Sequence, residues 1–176
     1  AYNTTGFFSY KTMQMLYMKQ KWEKLTASLL LMNNGFQEFD ANNAADGVSN
    51  LQTVGTHLKY KEGSFGLAAN AYLQTGKRQG AVDVQGAYLL GLDASYKASA
   101  KVALGAGVEI ISGNDGEAGE TGAFFPLYGT NHKFNGFMDY FYVGNHGNSI
   151  GLVDLHVSAN FKLNKTSSLM VKALNF

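Results

Sequence analysis

The clearest regularity in the chain is a strict alternation of apolar and small or polar positions over segments of about ten residues, the period of a β-strand with two unlike faces. In the segment Phe65 to Gln74, Phe65, Leu67, Ala69, Ala71 and Leu73 are apolar, and Gly66, Ala68, Asn70, Tyr72 and Gln74 lie between them. Val54, Thr56, Leu58 and Tyr60 alternate in the same way with Gly55, His57, Lys59 and Lys61, and Glu62-Gly63-Ser64 joins the two segments as a tight turn. Tyr88, Leu90, Leu92, Ala94 and Tyr96 continue the pattern, followed across Ala98–Lys101 by Val102, Leu104, Ala106, Val108 and Ile110. A further hairpin places Val153, Leu155, Val157, Ala159 and Phe161 opposite Leu169, Val171 and Ala173 through Asn164-Lys165-Thr166. Lys11–Lys21 and Leu25–Met32 flank a turn at Trp22-Glu23-Lys24, and the methionines and Gln14 leave the facing of that first strand open. The count is about eight strands.

Connections alternate in length. Short turns at Glu23, Gly63, Ser99 and Lys165 are separated by polar stretches at about residues 33–52, 75–83 and 112–149, the last expected as a long external loop. Strands of about 9–11 residues with short turns on one side and long loops on the other predict an all-β, antiparallel, up-and-down transmembrane β-barrel. The polar face, rich in Gly, Ala, Ser and Asn, suits a narrow or wet lumen better than the interdigitated core of a sandwich. Tyr60, Phe65, Tyr96, Phe161 and Trp22 gather beside the short turns, as an interfacial girdle would.

Composition narrows the reading. With no cysteine, disulfides and thiolate metal sites are excluded, and a net charge of +1 argues against a nucleic-acid partner. No apolar run approaches the length of a membrane-crossing helix. The start of the chain lacks a signal-peptide pattern, so the segment reads as mature, trimmed or cut from something longer.

Facing predicts which side chains line the lumen: His57, Lys59, Lys61, Asn70, Tyr72, Gln74, Asp93, Glu109, Asp154, His156, Ser158 and Asn160, together with Lys97 and Lys162. This set is mixed in sign, and the single arginine, Arg78, is expected in a loop. Asp154, His156 and Ser158 share one strand face at a spacing of two, which holds their side chains parallel rather than convergent and favours lumen lining over a hydrolase triad. Asp115, Glu117 and Glu120 lack EF-hand spacing and read as a solvated acidic loop. His132, Asp139 and His146 come with no metalloprotease or nucleophile-elbow pattern, so no cofactor, metal or catalytic residue is expected.

The segment Phe125 to Phe141, with Tyr128, Gly129, Asn131, His132, Lys133, Phe134, Asp139 and Tyr140, and its continuation to Asp154, resembles the alginate-export family of bacterial outer-membrane proteins in its Bacteroidetes-type form. The resemblance implies a barrel of roughly twice as many strands, with residues 1–176 as one domain or portion of it. A self-contained eight-strand barrel ending in Phe176 is the alternative. The expected function is passive passage of a hydrophilic solute across the outer membrane, with an anionic polysaccharide such as alginate as the polymeric candidate and membrane lipid as the other partner. The rival is a small plugged barrel that binds or adheres through its loops. A polyanion pathway calls for a cationic constriction.

Overall fold

The computed structural model describes residues 10–116, 119–128, 135–138, 140–141, 146–147 and 149–176. Nine strands form one sheet, and no α-helix occurs among the described residues. The strands are β1 (Thr12–Lys21), β2 (Leu25–Phe39), β3 (Ala45–Glu62), β4 (Phe65–Arg78), β5 (Val82–Lys97), β6 (Val102–Ile111), β7 (Glu120–Thr121), β8 (Leu152–Lys162) and β9 (Ser168–Asn175). Eight of them run up and down, each antiparallel to its neighbour, in the order β1-β2-β3-β4-β5-β6-β8-β9; β7 adds a two-residue parallel pairing to β5. The sheet is open: β1 and β9 are its two edges.

The four expected turns join β1–β2, β3–β4, β5–β6 and β8–β9, all at one end of the sheet, which we call the short-turn end. At the far end the strands outrun the prediction. β2, β3, β4 and β5 have 15, 18, 14 and 16 residues, so the stretches read as loops at 33–52 and 75–83 shrink to residues 40–44 and 79–81. The reason lies in the side chains. Beyond Leu31 and Val54 the apolar positions give way to Asn33, Gln52, Asn50 and Gln14, whose amides bond one another across the strands: Asn33 Nδ2 donates to Gln14 at 2.7 Å and to Asn50 at 3.1 Å, and Gln52 donates to Asn33 at 2.7 Å. The ladder continues while the apolar signal stops. Only the connection between β6 and β8 is long, as expected.

Pairing settles the facing of β1: Leu16 and Met18 lie opposite Leu31 and Leu29, and Met15, Tyr17, Lys19 and Lys21 point to the other side. One face of the sheet is therefore apolar from strand to strand. The row Ala27, Leu58, Ala69, Leu92, Val108, Leu155 crosses six strands in register, and Leu16, Leu31, Val54, Leu73, Tyr88 form another. Most large side chains of this face are exposed, Leu73 and Val157 each at 58%. We call it the bare face.

Buried residues sit on the opposite face. Phe36, Leu51, Val84, Ala87 and Ile111 project from the far halves of β2, β3, β5 and β6, and Phe124 from the long connection packs among them, with Tyr72, Leu89, Leu127 and Leu152 around the rim. The sheet thus supplies most of the core, and its own connection supplies the ring packed into it. This is the loop-bearing face.

Candidate functional site

All twelve side chains expected to share the polar face do so, because each belongs to the same set of cross-strand rows. Counting from the short-turn end, Lys97 and Asn160 flank Ala103; Lys61, Gly66, Ser95, Gly105, Ser158 and Lys172 form the next row; Lys59, Ala68, Asp93, Gly107 and His156 the third; His57, Asn70, Gly91, Glu109 and Asp154 the fourth. Tyr72 and Gln74 stand beyond these, at the level of the core.

Glycines govern what can touch within a row. Strands two apart are separated by roughly 9–10 Å, too far for direct contact unless the strand between contributes no side chain. Gly107 lies between Asp93 and His156, whose Oδ1 and Nε2 are 3.0 Å apart. A Cβ at Gly107 would stand 2.6 Å from His156 Cε1 and 2.7 Å from Nε2, so the gap is already filled by the pair. Gly55 leaves room in the same way for the ring of Tyr72. His57 Nδ1 and Asn70 Oδ1, direct neighbours, are 2.7 Å apart.

Charge is graded only in part along this face. Lys61, Lys97, Lys162 and Lys172 occupy the rows nearest the short turns, Lys21 and Lys59 share the row of Asp93, and Lys19 shares that of Glu109 and Asp154. The mixture of signs expected from sequence persists in the third and fourth rows, and only the rows nearest the short turns carry charge as lysine alone. Lys19, Lys21 and Lys172 were hidden by the unassigned facing of β1 and the shortness of the β9 pattern.

The long connection folds onto the same face, held by specific clasps. The side-chain amide of Gln74, 2% exposed, donates to the Phe125 carbonyl at 2.8 Å and accepts from the Phe125 N–H at 2.9 Å, continuing the ladder with a side chain. Asn34 donates to the Tyr128 hydroxyl at 2.6 Å, and the Tyr128 ring meets Tyr10 edge-on at 5.8 Å. Burial, with Tyr10 nearby, pushes the Tyr128 phenol up to about 12. Arg78, expected in a loop, is the last residue of β4 and donates to the Gly147 carbonyl. Asn135 donates to Glu109 Oε1 at 2.9 Å and reaches Asp154 Oδ2 at 3.5 Å. Phe141 packs on Phe176 with centroids 4.5 Å apart, and Tyr140 sits edge-on to Phe141 while 80% exposed. His146 is buried, which lowers its imidazole below the usual histidine range against the opposing effect of a bond to the Phe141 backbone.

Of the family-like segment, Gly129, Asn131, His132, Lys133, Phe134 and Asp139 lie outside the described residues, as does Glu117 of the acidic stretch. Among the described residues, no three His, Asp or Glu side chains are grouped so as to hold a metal. Among the described residues His156 bonds to no nucleophile, Ser158 included; Nε2 faces Asp93, and Nδ1, buried without a hydrogen bond, is 3.9 Å from Asp154 Oδ1. The arrangement can hold a loop and groups charged side chains on one face, and among the described residues it converges no general base on a nucleophile. Sequence reasoning missed the anchors Asn34, Phe124 and Asn135; the pair Phe124-Phe125 followed by the chain's single proline, within a polar stretch, is the signal that could have found the first contact of loop with sheet. Compared with known proteins, the chain matches no family profile, no curated protein and no solved structure.

Proposed function

We propose that this chain is the wall, or a portion of the wall, of an outer-membrane β-barrel through which a hydrophilic solute passes by diffusion, in keeping with its resemblance to the alginate-export family. One observation carries the reading. The face that bears Leu, Val and Ile in every strand is bare, and the face that bears Lys, Asp, Asn and Gly carries the loop and the core. Soluble proteins rarely expose a contiguous apolar patch beyond a few hundred Å2, whereas lipid calls for this arrangement. From Phe65 to Leu73, or from Tyr88 to Tyr96, the belt runs about 27 Å along a strand, or about 21 Å of height at a strand tilt near 40°, of the same order as the ~25 Å band of such barrels. The amides of Gln14, Asn33 and Gln52 end it on one side, and the directly paired Phe65 and Tyr96 end it on the other.

The unpaired edges of β1 and β9 bear on barrel size. A row of unsatisfied backbone groups cannot face hydrocarbon, so both edges must be joined in the membrane, and further strands of a larger barrel would join them without disturbing the observed pairing. Lys61, Lys97, Lys162 and Lys172, in rows that carry no carboxylate, favour an anionic solute drawn to the short-turn mouth and passed along the loop-bearing face. Loop packing at the far end supports the second reading, a plugged barrel that binds through its connections.

Reconstitution in planar bilayers separates the two. The transport reading expects a steady ion current with anion selectivity that weakens when Lys59, Lys61 and Lys97 are changed together to glutamate. Absence of current from protein that inserts and resists heat unfolding sinks it in favour of the plugged barrel.

A further inference from the structure

Glu109 and Asp154 are directly opposed neighbours on β6 and β8, on the same face, which is a destabilising placement for two like charges. Asp154 is 5% exposed and its Oδ1 accepts no hydrogen bond. The only donor to either carboxylate among the described residues is the single amide nitrogen of Asn135, shared between them. Other charged groups do not resolve the excess. His156 turns Nε2 to Asp93 across Gly107 and leaves Nδ1 at 3.9 Å from Asp154, and the row on the short-turn side adds Asp93 itself. His57, on the same row as the pair, is bonded to Asn70. Lys19 shares their row only on β1, with β2 to β5 between it and Glu109, Lys59 and Lys61 stand nearer the short turns, and the ion pairs formed by lysine among the described residues, Lys24–Glu62 and Lys77–Asp83, lie elsewhere. Asn135 reaches the pair from a left-handed backbone, φ 47°, a conformation that asparagine adopts more readily than most residues.

We propose that Glu109, Asp154 and Asn135 form a binding site for a divalent cation of the calcium class, and that its occupancy fastens the long connection to the β6–β8 wall. Calcium takes about 6–8 oxygen ligands in flexible geometry, and two carboxylates that can each bind through both oxygens supply the charge and most of the ligands. A half-turn of the Asn135 amide replaces its nitrogen by its oxygen, adding a ligand from the loop; water completes the shell. Magnesium, which demands a near-ideal octahedron at shorter distances, fits two strand-fixed carboxylates less well. The assignment rests on the carboxylate pair and the loop, and does not depend on whether the chain conducts.

The test is a calorimetric titration of the folded, chelator-treated protein in detergent with calcium chloride. One site is expected, weakened at least about tenfold by Glu109→Gln or Asp154→Asn and tightened by Asn135→Asp, which supplies a third carboxylate. The double change Asp115→Asn with Glu120→Gln, in the acidic stretch, leaves binding unchanged. Protease cleavage within the long connection slows on adding calcium in the wild type and in Asn135→Asp, and not in Glu109→Gln. No binding up to about 10 mM calcium, or binding that ignores Glu109→Gln, Asp154→Asn and Asn135→Asp alike, overturns the assignment. Because Asn135→Asp is read as a gain, a loss of folding in the neutralised variants leaves the test decisive.

Discussion

The two ends of the loop-bearing face are built by the same strands with the same alternation, yet one is packed and the other open. At the far end Leu51 is 1% exposed and Phe124 4%, and the polar groups that share the space are bonded to the loop. At the short-turn end the rows hold Gly66, Ala68, Gly105 and Gly107 beside lysines, in an open trough of about 430 Å3 whose lining includes Lys59, Lys61, Lys97 and Ser158. Strand periodicity decides which way a side chain points, and side-chain volume together with the return of the loop decides whether that direction is interior. The far end is a core that happens to lie on the polar face; the near end is a surface.

Truncating a side chain at each end sharpens this difference most. Phe124→Ala removes a ring from a site closed on all sides and is expected to cost about 3–5 kcal/mol. Ser158→Ala, in the open rows, is expected to stay within about 0.5 kcal/mol. Urea unfolding of both variants in the same detergent, followed by tryptophan emission from Trp22, measures the contrast. A Phe124→Ala protein as stable as Ser158→Ala means that the loop is laid on the sheet without holding it.

The contrast also marks where sequence reasoning stops. The four short turns, the antiparallel order and the shared facing of His57, Asp93, Glu109 and His156 follow from a period of two, which is a local property. The extensions of β2 and β3 were illegible because hydropathy marks what a face meets, and amides such as Asn33 and Gln52 sustain a ladder without an apolar signal. Gln74 could be placed on the polar face, but its bonds to Phe125 span 51 residues, and nothing nearby in the chain announces them. Asn135 is a still plainer case, an ordinary loop residue whose importance arises only from the two carboxylates opposite it.

A smaller effect belongs to the boundary between the two ends. Gly107→Ala inserts a methyl group within 2.6–2.7 Å of the His156 ring and is expected to part it from Asp93, at a cost of about 1–3 kcal/mol. Gly63→Ala probes a turn glycine in open space, φ 54°, where only backbone strain of about 1 kcal/mol applies. If the neighbouring side chains matter as the spacing indicates, Gly107→Ala shifts the proton resonances of His156 and Gly63→Ala does not. Unchanged His156 resonances in Gly107→Ala would show that the imidazole does not bridge to Asp93 across the glycine.

The mildest perturbation acts on the loop alone, through His146. Burial lowers its folded-state pKa, so over the window below the unfolded value of about 6.5 the folded protein binds fewer protons than the unfolded chain. The contribution is therefore complete above that value and is lost as pH falls through the lowered folded pKa. Acidification from pH 7.5 to 5.5 should loosen the connection where Gly147, next to His146 in the chain, meets Phe125 and Arg78, while the sheet beneath is unaffected. Limited proteolysis at the two pH values reads the loop, and circular dichroism reads the strands. His146→Gln, which cannot take up a proton, should flatten the difference in cleavage; an equal acid response in wild type and variant would assign the loosening to other groups and leave the two ends of the face equally insensitive to this histidine.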